Sequence, residues 1–381
     1  MSLPIPILQV IPALDAGGAE RTTIDVAAAL VQNGFAALVA SNGGRLENEL
    51  AQSGGELIRM NAASKSPATI VSNARALRDL VRARGIKLIH ARSRAPAWSA
   101  MLAARWSHVP FVTTYHGFYQ ASNPFKRLYN SIMVRADAVI ANSQWTADHI
   151  AQEYRTPPAR LAVIPRGVDL QTFDPAGISP QRIVDLRKSW NANDGDFVLL
   201  LPGRLTRWKG QAVLIDALAI LKADNKLGRI RAILAGDAQG RDAYEAELRK
   251  AINAAGLPDR VLITGHVTDM ATAYSAADAV LSTSTQPEAF GRVAAEASCM
   301  GKPVIASDHG GARETVLPGI SGILVPPGDA AALAETILRI GTMPPDARER
   351  MGAAGRAHII RNFSREKMCA DTIALYRSLL T

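Results

Sequence analysis

The stretch Pro287-Glu288-Ala289-Phe290-Gly291-Arg292-Val293-Ala294-Ala295-Glu296 decides how this chain is read. Before it, Ala279–Ser284 is a short apolar run ending in small polar residues, the pattern of a buried strand. After it, Val293–Met300 is rich in Ala and stops at Gly301, the pattern of a helix. A strand ends, a loop carries Glu288, and Gly291 opens a helix. The free amides of that first turn and the positive end of the helix dipole favour an anion such as phosphate. Gly291 lets the anion approach the backbone closely. Glu296 lies about 7 Å further along the helix axis. Carboxylates are good acceptors for sugar hydroxyls. The spacing suits a sugar at Glu288, a diphosphate on the helix end and a ribose-like polyol at Glu296. The plain alternative is one Glu in a loop and another on a solvated helix face.

The flanking sequence alternates strands and helices. Strands are expected at Phe197–Leu201, Ile230–Ala235, Val261–Thr264, Ala279–Ser282, Val304–Ser307 and Ile323–Val325, with helices such as Lys209–Ala223 and Ala243–Ala254 between them. The amino-terminal half repeats the pattern, with strands at Pro6–Pro12, Phe35–Ala40, Glu56–Met60, Lys87–Ala91, Phe111–Tyr115, Ala138–Ala141 and Leu161–Ile164. Such alternation predicts an α/β protein with two parallel sheets. The Pro- and Gly-bearing stretch Gly167–Asp196 reads as the connection. The expected domains are residues 1–175 and 176–362, with a last helix at 363–381 packing back on the first. Ligand loops belong at the carboxyl ends of the strands. That places Arg204 and Lys209 of Gly203-Arg204-Leu205-Thr206-Arg207-Trp208-Lys209-Gly210 beside the phosphate site. An Arg fork and a Lys point charge are what a diphosphate leaving group needs.

Composition excludes several classes. Of 381 residues 48% are apolar and 20% charged, so the chain is not disordered. No apolar run reaches the roughly 18 residues of a membrane span. Met1–Pro6 has no positive region and is not read as a signal peptide. Two cysteines, Cys299 and Cys369, form no disulfide framework or zinc spacing, which fits the cytoplasm. Neither the dinucleotide G-x-G-x-x-G nor a Walker-type loop occurs. The net charge of +9 is concentrated between Arg59 and Arg135, with thirteen Lys or Arg against the single acid Asp79. Such a patch attracts anionic lipid or an anionic substrate. Nucleic acid ranks last, because few aromatics interleave with it and no motif appears.

Several motifs together carry a resemblance. They are Gly17-Gly18-Ala19-Glu20, Tyr115-His116-Gly117, Asn142-Ser143, Ile164-Pro165-Arg166-Gly167-Val168-Asp169, Gly203-Arg204 through Lys209-Gly210, and Glu288 with Glu296 spaced E-x7-E. Over nearly its whole length the chain resembles the retaining, nucleotide-sugar-dependent glycosyltransferases of the GT-B fold, family 4 (glycosyltransferase group 1), among them bacterial lipopolysaccharide and cell-envelope enzymes. The resemblance implies two facing Rossmann-like domains with the donor in their cleft. It implies that Glu288 and the amides of Phe290 and Gly291 hold the donor sugar, Glu296 the ribose, and Arg204 and Lys209 the diphosphate. It places the base near Val267 and brings His116 and Gly17-Gly18 toward sugar and phosphate. It implies no metal and no cofactor. In one departure, the position after Phe290-Gly291, often uncharged in the family, is Arg292. Its target at this stage is donor sugar, acceptor or solvent.

The expected reaction is transfer of a sugar from a nucleotide diphosphate sugar to a hydroxyl of a glycan or lipid-linked acceptor. Retention is expected by front-face attack, with His116 either positioning the sugar or acting as a catalytic base. The alternatives are a GT-B sugar-nucleotide epimerase or phosphorylase, and a nucleotide-sugar-binding module without chemistry. The basic segment, with Phe118, Tyr119 and Phe125 beside Lys126 and Arg127, suits a peripheral enzyme on the cytoplasmic face of the inner membrane.

Overall fold

The apolar runs of the central strands are buried on both faces, which is why they are continuous rather than alternating, while the edge strands Glu56–Arg59 and Leu161–Val163 are only partly buried. The computed structural model describes residues 3–15, 17–119 and 123–381; Ala16 of the glycine loop and Met1-Ser2 at the expected start lie outside the described residues. Contacts divide the chain into Met1–Gly167 with Arg365–Thr381, and Val168–Ser364. In the first unit, β1 (Ile5–Val10), β2 (Phe35–Ser41), β3 (Glu56–Arg59), β4 (Leu88–Ala91), β5 (Phe111–Tyr115), β6 (Ala138–Ala141) and β7 (Leu161–Val163) pair in the order β3-β2-β1-β4-β5-β6-β7. In the second, β8 (Phe197–Pro202), β9 (Ile230–Ala235), β10 (Val261–Gly265), β11 (Ala279–Ser282), β12 (Val304–Ser307) and β13 (Gly322–Val325) pair as β10-β9-β8-β11-β12-β13. Every pairing is parallel. Along β8, Leu199 and Leu201 enter one core while Val198 and Leu200 enter the other, so helices cover both faces.

Strand order reverses between β1 and β4 and again between β8 and β11, creating the crevices where such sheets bind ligands. The division of the chain falls at Gly167/Val168, ahead of residue 175. The Val168 amide donates to the Phe363 carbonyl, and its side chain packs with Phe290, Ile359 and Phe363. The helix Arg365–Leu380 belongs to the first unit, where Met368, Cys369, Ile373 and Tyr376 pack against Ile7, Ile24 and Ile140.

Two expected helices are shorter than their patterns. Lys209 ends a single 3-10 turn, Arg207–Lys209, and the helix proper is Gln211–Ala223. Gly210 separates them at φ +84°, and a Cβ there would lie 2.0 Å from the Thr283 carbonyl oxygen. The helical pattern of Phe125–Arg135 in the sequence likewise resolves into a helix, Pro124–Asn130, followed by a 3-10 turn, Ser131–Val134.

The core of the first unit holds an unusual polar cluster. His90 is fully buried, with Nδ1 on the Tyr376 hydroxyl and Nε2 2.7 Å from Thr114 Oγ1. Burial, then the charge of Arg92 and the neighbouring His116, holds its pKa well below 6.5. His116 is depressed in the same way by burial, then by Arg166 and Arg92. Both imidazoles are neutral in the folded chain and take a proton on unfolding below pH 6.5. Their stability contribution is therefore complete above pH 6.5 and falls as the pH drops below it. Each should remove about 1.4 kcal/mol per pH unit in that range. Urea unfolding between pH 7.5 and 5 checks this: His90→Gln should flatten the slope by about one proton, and an unchanged slope would refute it.

Candidate functional site

In the second unit, the loops after β8 and β11 are neighbours across the reversal of strand order. Lys209 Nζ lies 2.8 Å from Glu288 Oε1, with the two side chains only 13% and 18% exposed. The Ser284 hydroxyl donates to the same oxygen. Burial pushes the Glu288 carboxyl up, but the charge and hydrogen bond of Lys209, the Ser284 hydroxyl and the nearby His309 outweigh it and hold it below the usual range. Glu288 is thus an ionised acceptor. Gly291, at φ +82°, caps the helix Arg292–Cys299 with no side chain over its first turn. Among the described residues, the amides of Phe290 and Gly291 have no acceptor. Phe290 itself is buried against Phe363.

Glu296 is held on both oxygens. Arg292 Nη2 donates to Oε1 at 2.8 Å, and the Tyr274 hydroxyl to Oε2 at 2.9 Å. Arg292, left open by the sequence, is therefore the partner of Glu296. Arg204 is exposed and has no carboxylate partner among the described residues; Gln211 Nε2 ties its carbonyl in place at 3.0 Å. Val267 lines a cavity of about 770 Å³ with His266, Asp269, Arg182 and Trp190.

In the first unit, His116 follows β5. Its Nδ1 lies 3.1 Å from Arg166 Nη2, and its buried Nε2 has no partner among the described residues. Arg166 can only donate, so Nδ1 accepts and the proton of the neutral ring sits on Nε2. Gly18 faces the same guanidinium: a Cβ there would lie 2.2 Å from Arg166 Nη1. Gly17 caps the helix Gly18–Gln32, and the Glu20 carboxylate folds against it.

The basic segment is less bare than its sequence. Acids from outside it pair with Arg59 (Glu47, 2.6 Å), Arg84 (Glu56) and Arg127 (Glu153, 3.2 Å), and Arg92 is buried. Lys65, Arg75, Arg82 and Lys126 stay exposed.

Comparison with known proteins assigns the family. The profile described as Glycosyl transferases group 1 matches residues 183–358, and that described as Glycosyltransferase Family 4 matches residues 16–172. A Xylanimonas cellulosilytica protein named D-inositol 3-phosphate glycosyltransferase is 31% identical over 291 residues, spanning 72% of this chain and 68% of that one. The crystal structure of a glycosyltransferase from Rickettsia africae superposes with a TM-score of 0.91 at 35% identity, covering 99% of each chain. Anabaena Alr3699/HepE, solved in complex with UDP and glucose, gives 0.82 at 30% identity, covering 98% of this chain and 99% of its own. The chain belongs to the group 1 glycosyltransferases. Its fold is GT-B, built of two Rossmann-like domains.

Three site features of this glycosyltransferase escaped the sequence reading. Arg166 was visible inside Ile164-Pro165-Arg166-Gly167 but carried no assigned role. Tyr274 had no signal, since it sits in an ordinary helix 22 residues before its partner. Gly310-Gly311 was readable as a glycine pair after a strand. A Cβ at Gly311 would lie 2.4 Å from the Phe290 backbone, and its amide donates to the Glu288 carbonyl at 2.9 Å. That pair braces the Glu288 loop from below.

Removing one member of the enclosed Lys209–Glu288 pair leaves an uncompensated charge. Lys209→Met should destabilise the second unit by about 3 kcal/mol, and adding Glu288→Gln should restore part of it. Urea unfolding of the two singles and the double measures the coupling; additive losses would mean the pair contributes nothing.

Proposed function

We propose that this enzyme moves a sugar from a nucleotide diphosphate sugar, with uridine as the base, to an acceptor hydroxyl, retaining the anomeric configuration. The observation that carries the reading is the meeting of Lys209 with Glu288 beside Arg204 and the uncapped helix at Gly291. It combines cations for a diphosphate with an ionised acceptor for sugar hydroxyls. The uridine assignment leans on HepE, solved with UDP and with UDP-glucose. Glu296, already fixed by Arg292 and Tyr274, has lone pairs left for a ribose diol. The cavity beside Val267 suits the base.

In the proposed step the acceptor oxygen bonds to the anomeric carbon from the face the diphosphate leaves. The carbon–oxygen bond to the diphosphate breaks, and the acceptor proton passes to a departing phosphate oxygen. Arg204, Lys209 and the helix end stabilise the charge that develops, so we assign this step no metal. His116 is assigned a donor's role rather than a base's, because a neutral imidazole already protonated on Nε2 is poorly placed to take a proton there. Arg204→Ala and Lys209→Ala should each lower kcat by about 10²- to 10³-fold, with chelator leaving the parent rate unchanged. Near-parental turnover in both would remove the assignment, and an inverted product by NMR would remove retention. In a thermal-shift panel, a UDP-sugar at 100-fold its Kd should add about 2.7 kcal/mol of stability, and GDP-sugars far less.

For the acceptor we infer a glycan or lipid-linked hydroxyl, as in cell-envelope or lipopolysaccharide assembly, met at an anionic membrane surface. The support lies in the helix Pro124–Asn130, where Phe125 is 85% and Leu128 54% exposed beside Lys126 and Arg127. Phe118 stacks nearby with Trp145 and His149. Rings at headgroup depth and cations on phosphate are what an interfacial surface needs. No described helix is long and apolar enough to cross a membrane. Liposome flotation should show binding that requires anionic lipid and fades with salt. Phe125→Ser with Lys126→Ser should weaken it, and a parent protein that stays unbound at low salt would refute this surface.

A further inference from the structure

A separate cavity of about 430 Å³ opens on the second unit, lined by Arg204, Thr206, Arg207, Trp208, Arg241 and Tyr244. Glu288, Glu296 and the helix Arg292–Cys299 take no part in it. Three guanidinium groups meet here, and only one is neutralised. Arg207 pairs with Glu247 at 2.7 Å and lies over the Tyr244 ring, 5.2 Å from its centroid. Arg204 and Arg241 have no carboxylate partner among the described residues; Asp237 and Asp242, in the same loop, pair with neither. Among the described residues the Arg241 side chain makes one hydrogen bond, from Nη1 to the Ala238 carbonyl at 3.3 Å.

Two further observations point to a ligand. Thr206 is only 7% exposed, yet its hydroxyl has no hydrogen-bond partner among the described residues. A buried hydroxyl left unmade costs free energy that a ligand oxygen would recover. The helix Asp242–Ala254 also begins at the cavity, with Arg241 at its cap position and no side chain bonded across its first turn. Asp242 and Glu245 lie in that turn, and Glu245 is engaged by Arg249 at 2.7 Å. The indole of Trp208 gives the cavity an apolar wall, and Lys209 Nζ lies 4.5 Å from its ring centre.

We propose that this cavity is a second anion site, which takes a phosphate monoester carried on a polyol ring. Two free guanidinium groups match a dianionic phosphate bidentately, the Thr206 hydroxyl donates to a third oxygen, and Trp208 covers the ring. Arg204 stands at the border of this site and the diphosphate site, so occupancy of one is felt at the other. The proposal rests on the donor reading only for that shared guanidinium. The phosphate group bound there is either that of a monoester on the acceptor or that of a free phosphate competing for the same place.

Calorimetry on the full chain at low salt tests it, using D-inositol 3-phosphate, inorganic phosphate and neutral inositol as probes, each with and without saturating UDP. The phosphate ester should bind saturably with UDP present, and inositol should not. Arg241→Gln should weaken the ester at least tenfold and leave UDP affinity within twofold. Thr206→Val, which keeps the side-chain shape, should weaken it several-fold without lowering Tm. An ester that binds tighter than inorganic phosphate identifies a ring-borne group; equal binding identifies free phosphate. Loss of ester binding on adding UDP, or equal weakening of UDP by Arg241→Gln, would make the cavity part of the donor site and overturn the proposal. So would binding indifferent to Arg241. Failure of UDP to bind, with ester binding intact, would instead count against the donor reading alone.

Discussion

The ion pair between Lys209 and Glu288 is the contact on which the second unit's site depends. The two residues are 79 positions apart and come from loops after β8 and β11, which lie side by side because the strand order reverses there. Water is largely excluded from the pair, so each charge needs the other. Glu288 stays ionised although burial alone would favour its neutral form. Everything around the pair keeps that geometry. Gly210 ends the Lys209 turn where any side chain would strike the Thr283 carbonyl, and Gly311 lets the next loop pass beneath Phe290.

The first unit uses a different device. It carries an arginine in its core, Arg92, which donates to the Gln9 side-chain oxygen and to Thr114 Oγ1. The positive charges of Arg92 and Arg166, added to burial, keep His90 and His116 neutral. A neutral His116 that accepts from Arg166 has its remaining proton on Nε2. The same electrostatics that set the protonation state therefore also set which way the ring donates. The carboxy-terminal helix belongs to this arrangement, since Tyr376 reaches back to His90.

Strand positions were legible because parallel strands buried on both faces are written as continuous apolar runs. Each of the thirteen falls within two residues of its expected ends. The loops Gly203–Gly210 and Pro287–Gly291 were legible for a second reason: strand-end glycines followed by a helix start are a local pattern. Helix ends were less legible. Lys209 scored as helical by its apolar periodicity, and only the approach of Thr283 shows why Gly210 interrupts it. The two-turn-or-shorter helices Glu47–Gln52 and Ala312–Thr315 hold too few residues for a period to appear.

The sequence by itself determined the α/β alternation, the strand-end loops and the residue types Arg204, Lys209, Glu288 and Glu296, because these depend on local periodicity and spacing. Only the tertiary structure decided how they are paired. Arg292 proved to serve Glu296, with Tyr274 on its other oxygen, and Arg166 proved to orient His116. Three of the thirteen cations counted between Arg59 and Arg135 proved to be paired with Glu47, Glu56 and Glu153. Apart from Arg292 and Glu296, which lie one turn apart on the same helix, the partner comes from another element. Charge and hydrogen bonding act over a few ångströms in space, and linear spacing does not encode that proximity.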